Sequence, residues 1–115
     1  MTDQVVIHSL EDALAVIDAM ADDASRVCLI SAPGAVASLG SMAFVEIVRA
    51  VRAAYPTKQI DAILDCADAP GLALNALRHG AEIIRLEADP AVIAKVQAIA
   101  DVSNARVIAA NAEST

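Results

Sequence analysis

Five short apolar runs, the first four each followed by a turn and then by apolar residues at helical spacing, constrain this chain more than any other feature. The runs are Val5-Val6-Ile7, Val27-Cys28-Leu29-Ile30, Ile60 to Cys66, Glu82 to Glu87 and Arg106 to Ala110. An uninterrupted tetrad such as Val27 to Ile30 is the pattern of a parallel strand inside a sheet, where both faces exclude water. Between the runs the period changes. Ser9 is placed to cap a helix with Glu11 and Asp12 in its first turn, and Leu10, Leu14, Ile17 and Ala21 form its apolar stripe. A second helix starts near Ser38 or Ser41 and runs through Phe44, Val48, Val51 and Tyr55 until Pro56 stops it. Pro70-Gly71 opens a third that ends near His79 with Gly80 as its stop, and Asp89-Pro90 opens a fourth whose stripe is Val92, Val96 and Ile99. Asp68 and Asp89 stand where helix caps are expected.

Strand and helix thus alternate four times before a closing strand, and 115 residues suit one such domain spanning 1–115. The expected class is a single three-layer α/β/α domain with a mostly parallel sheet of about five strands, Rossmann-like or flavodoxin-like. Hydrophobic residues reach 57% against 20% charged, which excludes intrinsic disorder. Eight basic and fifteen acidic residues give a net charge of −7, with no basic patch, which speaks against nucleic acid and anionic membrane surfaces as partners. Nineteen uncharged residues run from Val27 to Val45, but Pro33, Gly34 and Gly40 break them into a strand, a turn and the start of a helix rather than a membrane span. Cys28 and Cys66 form no CxxC pair and the two histidines lack ligand spacing, so neither a disulfide framework nor a zinc site is expected, although the acids at the strand ends would suit a divalent cation or cationic ligand better than a phosphate. No cofactor-binding motif appears either. Met1-Thr2-Asp3-Gln4 has no secretory character, so the cytoplasm is the expected location.

In a parallel sheet all strands end at one edge, where ligands bind near a switch in strand order. That edge would collect His8, Ser31 with Gly34, Asp65 with Cys66 and Asp68, Glu87, and Asn111 at the end of the last strand. Three resemblances attach to it. The alternation, with Asp65 ending the third strand, resembles a response-regulator receiver domain, which implies a phosphoacceptor role for Asp65; the acidic pair after the first strand and the lysine after the fifth are absent. Ile63-Leu64-Asp65-Cys66, a helix, and Ala76-Leu77-Arg78-His79-Gly80 are similar to the active-loop half of a rhodanese-like sulfurtransferase, which implies a nucleophilic Cys66. Val27 to Tyr55 resembles the strand, serine-bearing turn and helix of the STAS family of partner-binding modules, which implies Ser38 or Ser41 as the serine of interest.

The helix from Ser41 to Tyr55 carries more apolar surface than one sheet face hides, through Phe44, Val45, Ile47, Val48, Val51 and Tyr55. A neighbouring helix or another subunit must cover the remainder. The first expectation is therefore a non-catalytic module that self-associates or binds a protein partner through that helix. The alternative is a small ligand-binding domain or enzyme working at the strand edge, rhodanese-like or receiver-like in chemistry.

Overall fold

The computed structural model describes residues 4–20 and 26–110, without the side chains of Val36 and Ser38. The chain builds β1 (Gln4–Ile7), α1 (Leu10–Asp18), β2 (Arg26–Ser31), a single-turn α2 (Ala35–Ser38), α3 (Ser41–Ala54), β3 (Gln59–Asp65), α4 (Pro70–Arg78), β4 (Ile83–Leu86), α5 (Pro90–Val102) and β5 (Arg106–Ala109). All five strands are parallel, in the order β1-β2-β3-β4-β5, so the class of alternating parallel α/β domain is as expected. The ends of the elements obey local chemistry. Ser9 Oγ accepts the Asp12 amide at 3.0 Å while Asp12 Oδ2 accepts the His8 amide at 2.9 Å, a reciprocal cap on α1. After α4, Gly80 takes a left-handed φ of 99°, and the Ala81 amide reaches back to the Ala76 carbonyl at 3.0 Å. Among the described residues no helix is long and apolar enough to cross a membrane, and the uncharged stretch from Val27 divides among β2, α2 and α3.

The layers differ from the expectation. Because neighbours in sequence are neighbours in the sheet, right-handed crossovers send every connecting helix to the same side. Accordingly α1 packs on α3, α3 on α4 and α4 on α5, in one row. One large core unites that row with alternate strand residues: Ala13 and Ile17, Phe44, Val48 and Val51, Ala73 and Ala76, and Val96 and Ala100 close on Ile7, Leu29, Leu64, Ile84 and Leu86. A second, small cluster lies on the opposite face, made of Ile30, Ile63 and Ile83 with Cys28 and Ile108. No described helix contributes to it. The described chain therefore has two layers, one helical and one of sheet, where the apolar runs suggested three. The sequential order also contains no reversal, so the crevice that forms at a strand-order switch is not part of this fold.

Candidate functional site

The C-terminal ends of β2, β3 and β4 meet around Asp65. Its side chain is almost fully buried, at 4% exposure, and three donors occupy it. Oδ1 accepts the Gly34 amide at 3.0 Å and the Ala67 amide at 2.9 Å, while Oδ2 accepts from Arg85 Nη1 at 3.0 Å. The Asp65 amide in turn donates to Ser31 Oγ at 2.9 Å, and that hydroxyl donates to the Ala32 carbonyl at 3.3 Å. One carboxylate thus ties the loops after β2 and β3 to strand β4. Two residues adopt left-handed backbone to allow it: Gly34, with φ 70°, and Ala67, with φ 49°. A side chain on Gly34 would meet the Ala67 methyl at an ordinary 4.0 Å, so the constraint at Gly34 is its dihedral rather than crowding.

Cys66 follows directly and is completely buried. Burial pushes its thiol up to about 12, and the neighbouring Asp65 carboxylate adds to the effect. A nucleophilic sulfur needs the opposite environment, one that favours the thiolate. Its Sγ instead faces the Leu64 carbonyl at 3.7 Å. Cys28 is half-buried, and its thiol is raised by burial and then by Asp61, partly offset by Arg106 and Arg26.

The remaining edge candidates do not join this cluster. His8 is exposed, and its backbone rather than its ring serves the α1 cap. Asp68 and Glu87 are exposed, and the Glu87 amide donates to the Ala67 carbonyl at 2.8 Å. Among the described residues no group of three His, Cys, Asp or Glu side chains is arranged to hold a metal. The capping expected of Asp68 and Asp89 is not made by their side chains: Ala69 is the N-cap of α4, and Asp89 occupies the N-cap of α5 without a side-chain bond to the helix. Asn111 and the side chain of Ser38 lie outside the described residues.

Of the α3 candidates, Phe44, Val48 and Val51 belong to the chain's own core. Val45, Ile47 and Tyr55 are half-buried against the same core, and the Tyr55 hydroxyl donates to the Leu14 carbonyl of α1 at 3.4 Å. The neighbouring helix α1 thus takes up much of the apolar excess on α3, leaving Met42 as its exposed large hydrophobic. One pair escaped sequence reasoning. Ser41 Oγ, at the start of α3, lies 2.5 Å from His79 Nδ1, at the end of α4. Ser41 is buried and no carboxylate orients the ring among the described residues, so the pair ties two helix ends together. Nothing in the spacing of positions 41 and 79 signals that meeting, because it depends on how α3 crosses α4.

The sheet face on which no described helix packs, here the helix-free face, is the other feature of note. Strand alternation places Val6, Cys28, Ile30, Ile63, Ile83 and Ile108 on it, and the register aligns Val6, Ile30, Ile63 and Ile83 in one row across four strands. Its charges are Arg26, Arg85 and Arg106 against Asp61 and Asp65, with Arg26 bound to Asp61 at 3.2 Å and Arg85 to Asp65 at 3.0 Å. The sequence matches no family model and no curated protein.

Proposed function

We propose that this protein is a self-associating interaction module whose contact surface is the helix-free face of its sheet. One observation carries the reading: an all-parallel sheet normally has both faces covered, and here every described helix of more than one turn packs on the same face. The apolar row from Val6 to Ile83 has no described helix above it; Val6 is 47% exposed, while Ile30, Ile63 and Ile83 are already buried within the chain. Electrostatics favour a second copy as the cover. The chain carries −7 overall and repels itself, yet among the described residues this face holds three basic side chains, Arg26, Arg85 and Arg106, against two acidic ones, Asp61 and Asp65. Two copies meeting here bring their least repulsive surfaces together. The alternative reading at the strand edge has less support, since Asp65 is already occupied by three donors and Cys66 is buried with a raised thiol.

Sedimentation equilibrium at micromolar to sub-millimolar concentration tests the proposal. The expected mass is a multiple of 11.8 kDa. Val6→Lys and Val6→Glu, at the exposed end of the free face, are expected to weaken association about tenfold or more while the melting temperature of the monomer stays near that of the wild type. A strict monomer across the range, or an oligomer indifferent to both substitutions, overturns it.

A further inference from the structure

The outer edge of β5 is occupied by a side chain that imitates a strand. Gln97 of α5 accepts the Val107 amide on Oε1 at 2.8 Å and donates from Nε2 to the Ala105 carbonyl at 3.3 Å. Its second N–H goes to Asp101 Oδ1 at 2.7 Å, which fixes the amide's orientation. The two contacts to β5 flank Arg106, whose own amide points inward to the Glu82 carbonyl at 2.9 Å. In a parallel ladder, a residue on the added strand donates to the carbonyl before its partner and accepts from the amide after it. Gln97 makes that pair of bonds around Arg106, so its side-chain amide takes the place of the N–H and C=O that one residue of a sixth parallel strand would present. An antiparallel neighbour would instead exchange both bonds with one residue.

Beside this edge runs an apolar groove of about 550 Å³, lined by Ala88, Pro90, Ile93, Ala94, Val107 and Ala109 together with Gln97. It lies where the next strand and helix of the series would pack. We infer that the β5 edge receives β1 of a second copy of this chain, with Gln97 as a displaceable plug. The assignment rests on the self-association proposed above and adds to the sheet-face contact a second, separate contact at the strand edges. β1 suits the place in three ways. It is the opposite edge of the same sheet, so a second copy in the same orientation presents it parallel to β5. It has four residues, as β5 has. Its Val5-Val6-Ile7 segment is β-branched throughout, the side-chain type that suits a pleated strand. Reciprocal pairing of both edges closes a two-chain ring, whereas one-sided pairing propagates.

The experiment is sedimentation equilibrium with amide hydrogen exchange on the wild type, Gln97→Ala and Gln97→Glu. Removing the plug in Gln97→Ala leaves the edge groups of β5 unpaired in the free chain and is expected to tighten association about tenfold. Gln97→Glu keeps an acceptor for Val107 but sets a charge on the edge beside Asp101, and is expected to weaken it. Protection of amides in β1 and β5 rises with protein concentration in the associating forms. Gln97 is half-buried on the surface of α5, so both variants retain the core, and their melting temperatures check this. Association indifferent to both substitutions, without concentration-dependent protection in β1 and β5, overturns the edge assignment while the sheet-face reading stands. Absence of association in all three forms overturns both.

Discussion

Asp65 illustrates how one residue's chemistry is settled by its partners. A carboxylate at the end of a central parallel strand stands where catalytic and phosphoacceptor groups are found, yet here two backbone amides and a guanidinium consume it. Asp65→Asn keeps an acceptor but turns an amide or a neutral oxygen toward Arg85, so we expect a loss of about 2–3 kcal/mol in chemical denaturation. If the variant instead unfolds at the wild-type midpoint, the carboxylate is not a structural tie. Cys66 gives a second test at the same scale. Its thiol ionises near 9.0 as a free group and near 12 in the fold, so the folded state holds the proton more tightly. Its contribution to stability is complete below pH 9 and is lost as pH rises from there through 12. Native protein at pH 8 is accordingly expected to leave Cys66 unmodified by a thiol reagent while Cys28 reacts slowly. Rapid modification of Cys66 in the folded state, read by mass spectrometry, would contradict its burial.

At the scale of elements, the connection from β3 to α4 carries a local cost. Ala67 sits at φ 49° with its amide fixed by Asp65 and its carbonyl by the Glu87 amide, a conformation that disfavours any residue with a Cβ. Replacing Ala67 with Gly removes that penalty and adds some unfolded-state entropy, for an expected net gain of about 0.5–1 kcal/mol in thermal or chemical denaturation. A loss of stability on Ala67→Gly would show that the alanine methyl does more than tolerate the turn. The elements themselves were largely legible. Ser9 marked the start of α1, Gly80 the end of α4, and Pro90 the start of α5, each within one residue, because capping and turn chemistry act over a few residues. α2 went unforeseen: a single turn has too few residues to show a period, and Gly34 serves as its left-handed entry.

For the whole molecule, the sequence alone determined that strand alternates with helix and that the sheet is parallel. Those properties follow from period and from short connections, both written locally in the chain. The sequence also marked most of the main core, but Ile99, expected on the stripe of α5, is 49% exposed, and Ala100 is buried there with Val96. The tertiary structure alone decided the order of the strands, and through it the number of layers. Val27 to Ile30 is apolar on both faces, and that pattern is equally consistent with helices on two sides or on one. Leu29 faces the helices, whereas Ile30 packs with Ile63 and Ile83 across neighbouring strands. Strand order follows from which non-adjacent elements pack best together, and no local period records it. The Gln97 contact to β5 and the meeting of Ser41 with His79 are decided in the same way, by the placement of helices that only the assembled core holds in position.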